Sequence, residues 1–186
     1  MTIFVILAPY GVYALLMLVA PPFVSLFAAA LLCLAAVAYD KFRGRSIKML
    51  GLGSTLLFAG LGCYLLLTGS TWNGSMVKFA VDAGLLVIAL VSLASGRPFT
   101  AQYAREMVDA ESARLPGFIT ANYVITWIWV LAFLLMMLAN VLPVYLPGLP
   151  LWSSLAIVLA IRYSAVYFTR WYPEYRRGKP AAAPST

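Results

Sequence analysis

The sequence predicts an all-α integral membrane bundle of six transmembrane helices, with an amphipathic cytoplasmic helix between spans four and five. Three observations carry this reading. The 186 residues are 63% hydrophobic and only 10% charged, with a mean hydropathy of +0.92, whereas soluble domains are about a quarter charged. Six apolar runs approach the roughly 20 residues that a helix needs to cross a bilayer core. The connections between those runs alternate between basic and uncharged.

The runs are 3–20, 23–39, 49–69, 77–94, 118–142 and 151–169. No Lys or Arg precedes the first, so it lacks the positive n-region of a secretory signal and reads as a retained helix. The first two runs meet at Pro21-Pro22, which forbids one continuous helix. A tight outer turn fits there, and a re-entrant hairpin is the alternative. The loop before the third run carries Lys41, Arg43, Arg45 and Lys48, and the segment after the fourth carries Arg97, Arg105 and Arg114. The tail carries Arg170, Arg176, Arg177 and Lys179, while "STWNGSM" and "PVYLPGLP" carry no Lys, Arg, Asp or Glu. Positive-inside orientation then places both termini in the cytoplasm, and only an even span count agrees with it. Trp72, Tyr145 and Trp152 mark the outer interface; Tyr39, Trp171, Tyr172 and Tyr175 mark the inner one.

In the third run Gly51, Thr55, Ala59 and Cys63 recur every four residues, a small-residue ridge that lets backbones approach closely. It serves packing against a neighbouring span or, in the sharper reading, a homo-oligomer. Segment 97–115 places Phe99, Tyr103, Met107 and Val108 on one stripe, which predicts a helix lying on the inner leaflet. Its Glu106, Asp109 and Glu111 read as a solvated face, paired with Arg105 and Arg114, rather than as a metal cluster. Residues 1–170 thus form a six-span domain. Residues 171–186 form a basic tail, anchored by anionic lipid headgroups and disordered beyond Pro180.

The net charge of +7 resides in these connections and the tail and not on a folded basic face, so nucleic acid is not the expected partner. The chain has no His, which removes imidazole ligation and most neutral-pH acid–base catalysis. Cys33 and Cys63 fall at different depths and read as unpaired thiols. No nucleophile stands beside a base, and "GLGST" lacks the P-loop spacing and its Lys. The expected protein is non-enzymatic, without metal or cofactor; a lipid-headgroup enzyme is the residual alternative.

Charges inside the membrane are the candidate functional residues. Lys78 and Asp82 share a helix face and can pair at the outer edge, with Asp82 about 6 Å deeper. Arg162 lies roughly 10 Å from the inner end of the last span. It serves either as a cation snorkelling to the cytoplasmic headgroups or as a ligand contact. Depth counting separates it from Asp82 by about 10 Å; Asn122, Thr126 and Asn140 on the fifth span are its candidate polar partners.

The basic loop "FRGRSIKM", the step "VKF" and the turn "GRPF" occur in that order, followed by "WVLAF" and "LAN" with Trp129, Phe133 and Asn140. In these landmarks the chain resembles the intracellular septation protein A family of small bacterial inner-membrane proteins. The resemblance implies a multi-pass inner-membrane protein that supports envelope maintenance and septation through contacts with lipids and with division or elongation proteins. It brings no catalytic residues. The competing reading is a small-solute or lipid transporter with a polar cavity around Asp82 and Arg162; internal symmetry between its halves is not evident.

Overall fold

The computed structural model describes residues 3–146 and 151–177. Seven α-helices account for most of them: α1 (Ile3–Leu16), α2 (Pro22–Phe42), α3 (Met49–Thr68), α4 (Gly74–Ala94), α5 (Phe99–Ala104), α6 (Pro116–Tyr145) and α7 (Leu151–Arg177). No strand occurs among the described residues. Four of these helices, α2, α3, α4 and α6, are long and apolar enough to cross a membrane. α1 is a 14-residue helix that ends before a turn over 17–20, with Pro22 at the permitted first helical position of α2.

α3 packs along α2 and α4, α4 along α6, α6 along α7, and α1 along α2. Glycines set the close approaches. A Cβ on Gly62 would meet the Phe27 ring at 3.2 Å and one on Gly53 would meet Ile88 at 2.9 Å, while Gly84 leaves room for Leu57. The buried face of α3 is Leu50, Ser54, Phe58, Gly62 and Leu65. This differs from the four-residue ridge. A step of four residues in a helix of 3.6 per turn advances about 40°, so three steps carry Cys63 roughly 120° away from Gly51. Gly51 accordingly sits against Val37 of α2, and Cys63 is exposed.

Segment 97–115 is not one continuous helix. α5 spans six residues, and single 3-10 turns follow at Arg105–Met107 and Ser112–Arg114. Val108 is extended between them, and the Asp109 carboxylate accepts from the Ser112 backbone N–H and hydroxyl at 2.7 and 2.9 Å. Those two bonds hold Asp109 below its ordinary carboxylate range, and they offer the backbone a turn in place of a helix. Phe99 is buried as expected, but Met107 is exposed. Gln102 is half-buried: its amide oxygen accepts from the Met49 N–H at 2.8 Å and its amide nitrogen donates to the Arg97 carbonyl at 3.0 Å.

The beginning of the predicted tail is helical too. α7 continues through Pro173 to Arg177, with Phe168 stacked on Tyr172 (5.0 Å) and Trp171 on Tyr175 (4.8 Å). Those one-turn ring pairs bridge the place where Pro173 cannot donate a backbone hydrogen bond. The disorder expected beyond Pro180 lies outside the described residues.

Candidate functional site: a polar cluster and the cavity beside it

Asp82 is buried on α4, and its nearest partner lies across the helix interface. The Asn140 amide on α6 donates to Asp82 Oδ2 at 2.7 Å. Lys78 makes no ion pair with it; the cations whose fields act on Asp82 are Arg162 first and Lys78 last. Lys78, one turn outward, is half-buried.

Arg162 stands closer to this level than depth counting expects. The Trp129 indole on α6 donates to the Thr169 hydroxyl on α7 at 3.0 Å, which fixes the register of the antiparallel pair. Counting outward from that contact, Met136 and Arg162 lie at the same height, seven residues along each helix. Arg162 Nη2 reaches the Met136 sulfur at 3.9 Å. Asn140 is one turn beyond Met136, so Arg162 lies about 6 Å from the Asp82 level. The guanidinium thus reaches across to α6 at its own height along the pair.

Two tyrosines of α1 complete the cluster. Tyr13 is buried with its ring on Phe58 at 5.4 Å. Its hydroxyl has no hydrogen-bond partner among the described residues, and the fields of Asp82 and Arg162 act on it. Tyr10 shares a 2.6 Å hydrogen bond with the buried Ser54 hydroxyl of α3. Neither tyrosine stood out in the sequence, because an aromatic in an apolar run carries no sign of where its hydroxyl points. Asn122 is not part of this group. It lies eighteen residues, roughly 27 Å, from Asn140 along α6. There it donates to the Phe118 carbonyl at 2.9 Å, and its own carbonyl accepts from the Thr100 hydroxyl of α5 at 2.9 Å.

A cavity of about 1240 Å³ runs from Arg162 to the end of the bundle that carries α5. Its walls are mostly apolar: Leu85 of α4, Phe99 of α5, and Phe118, Ile125, Trp129 and Phe133 of α6. Tyr10 of α1 and Arg162 of α7 both line it, and Glu106, Arg170 and Arg176 line it toward the other end. Asp82 and Asn140 are not in the lining; they lie about one turn beyond Arg162 along the helices.

The end that carries α5 is built on a second charged group that sequence reasoning left as a solvated face. Lys48 is 2% exposed, and its ammonium lies 2.5 Å from Asp40 Oδ2 and 2.9 Å from Glu106 Oε1. Arg45 reaches the same two carboxylates at 3.5 and 3.9 Å. Lys48 also sits 5.2 Å over the Tyr103 ring. Burial and the neighbouring Asp40 push the Tyr103 phenol well above its ordinary range. Glu106 therefore pairs with the α2–α3 loop and not with Arg105 or Arg114, and this ion group fastens the α5 segment across the bundle. Ser92 adds to the fastening by accepting from the Phe99 N–H at 3.2 Å, and Thr100 by sharing a 2.7 Å hydrogen bond with Thr126.

The fold and this cluster define a helical protein with four helices long and apolar enough to cross a membrane, and a largely apolar cavity that reaches Arg162 of α7. Comparison with known protein families, curated proteins and solved structures finds no match for the chain.

Proposed function

We propose that this is a non-enzymatic, six-span bacterial inner-membrane protein that supports envelope maintenance or septation by holding an amphiphilic anion in its cavity. The cavity ending at Arg162 is the observation that carries the proposal. Pockets for small metabolites are about 300–1,000 Å³, and a space of about 1240 Å³ with mostly apolar walls suits a lipid-sized guest better than a small solute. Of the two readings open at the sequence level, this one joins the envelope role implied by the septation-family resemblance to the lipid-handling alternative.

In the six-span arrangement α1 and α7 complete the crossing set, both termini are cytoplasmic, and the α5 end of the cavity lies at the inner leaflet. The basic α2–α3 loop, the Arg97–Arg114 segment and the Arg170–Arg177 end of α7 support that orientation. A cysteine at Ser46 in a background without Cys33 and Cys63 should label only after the inner face is made accessible. Labelling in intact cells would reject the orientation.

Native mass spectrometry of the purified chain tests the binding. The wild type should retain about one amphiphile per chain, and Ala121→Phe and Ala104→Phe, which fill the cavity wall, should lose it. Retention of nothing by the wild type, or equal retention by both filled variants, would reject the reading.

A further inference from the structure

We infer that the cavity takes an anionic membrane phospholipid, with the phosphate on Arg162 and the acyl chains leaving sideways between α1 and α7. The inference rests on the amphiphile-binding reading and names its headgroup chemistry and its route.

Arg162 supplies the first part. A guanidinium carries five N–H donors in a fixed fork that matches two phosphate oxygens. Its recorded contact is one Met136 sulfur at 3.9 Å, a weak acceptor. Among the described residues no carboxylate lies within ion-pair distance of Arg162, so none occupies the fork. The fork nonetheless lines the cavity. Asp82 balances its charge from one turn away, held there by Asn140. This arrangement leaves the donors for a guest while limiting the cost of the empty site.

The route supplies the second part. α1 lies along α2, and α7 lies along α6. Tyr10 of α1 and Arg162 of α7 nevertheless face the same cavity. Among the described residues α1 and α7 therefore share no extended packing that would close the flank between them. A guest reaching Arg162 through that flank brings its phosphate and the first stretch of its chains into the cavity and leaves the chain ends in the lipid phase. A free phosphate or a glycerol phosphate has no chains to place on Trp129, Phe133 and Leu85, and so leaves those apolar walls unused.

The experiment is competition in native mass spectrometry, using the intact chain and three probes. These are phosphatidylglycerol, diacylglycerol with the same chains (no phosphate), and glycerol phosphate. Phosphatidylglycerol should be retained over diacylglycerol by about ten-fold, the scale of one charge-assisted hydrogen bond, and glycerol phosphate should not be retained. Arg162→Gln should bring the two lipids to equal retention without abolishing either. Arg162→Lys should recover only part of the preference, because a point charge cannot make the fork contact. Asp82→Asn should raise the preference by removing the competing negative charge, and it serves as the second probe where Arg162→Gln unfolds. Wild-type retention of both lipids without preference, or a preference unchanged in Arg162→Gln and Asp82→Asn, would overturn this inference and leave amphiphile binding standing. Equal capture of glycerol phosphate would assign the site to a free phosphate ester instead. Capture of neither lipid would reject the amphiphile reading itself.

Discussion

Replacing Lys48 with Met should cost the fold about 3 kcal/mol, which follows from the geometry of its ion group. The ammonium is 2% exposed and stands 2.5 and 2.9 Å from the carboxylates of Asp40 and Glu106. Removing one partner of a buried ion pair costs about 3–5 kcal/mol, because the other charge remains desolvated and unbalanced. Two carboxylates would be left here, which argues for the upper end. Arg45 argues for the lower: it lies 3.5 and 3.9 Å from the same carboxylates and is 36% exposed, so it can move inward. The lost contact over Tyr103 adds on the order of 0.5–1 kcal/mol. Reversible unfolding in mixed micelles with increasing SDS fraction would measure the loss. The informative partner is the triple variant Lys48→Met/Asp40→Asn/Glu106→Gln, which removes the buried charges together. It should recover to within about 1 kcal/mol of the wild type, since neutral replacement of a buried pair is often free of cost. A single variant within 1 kcal/mol of wild type, or a triple variant as unstable as the single, would refute the reasoning.

Two further stability predictions follow from the same packing. Gly84→Ala should destabilise by about 1–3 kcal/mol, the usual range for overpacking, because the new methyl would overlap Leu57, whereas Gly60→Ala, with nothing within 4 Å, should not; equal effects in the same SDS titration would refute the assigned α3–α4 contact. The raised Tyr103 phenol contributes stability that is fully present below its ordinary value of 10.0 and is lost as pH rises above it, because the unfolded chain then ionises first. Tyr103→Phe should flatten the alkaline limb of a stability–pH curve recorded between pH 8 and 11, and an unchanged limb would reject the assignment.

The helices were legible because hydropathy and proline report them directly. The run 49–69 became Met49–Thr68, and Gly69 ends that helix in the left-handed region at φ 60° where a side chain would strain. The contacts were less legible. Asp82 and Asn140 were both singled out, yet nothing in the sequence joins positions 58 residues apart, and the nearby Lys78 offered a local pair in their place. Depth counting from run ends displaced Arg162 because it ignores register; the Trp129–Thr169 bond corrects it. Lys48 was seen only as one of four basic loop residues. Its burial depends on α5 docking above it, and α5 docks through side chains of Ser92, Thr100 and Gln102 that a hydrophobic stripe does not record.

The one-sided docking of α7 bears on how the chain is made. In the proposed six-span arrangement Arg162 would enter the membrane last, and an arginine at the centre of an inserting helix costs about 2.5–3.5 kcal/mol on insertion scales. Its balancing charge, Asp82, and the Met136 sulfur belong to helices synthesised earlier, and the surface of α6 that receives α7 is complete before α7 appears. The order of residues along the chain therefore gives the nascent arginine a polar, oppositely charged berth to enter instead of bare lipid. A permuted chain that synthesised α7 ahead of α4 and α6 would deliver the same helix to the bilayer with that compensation missing.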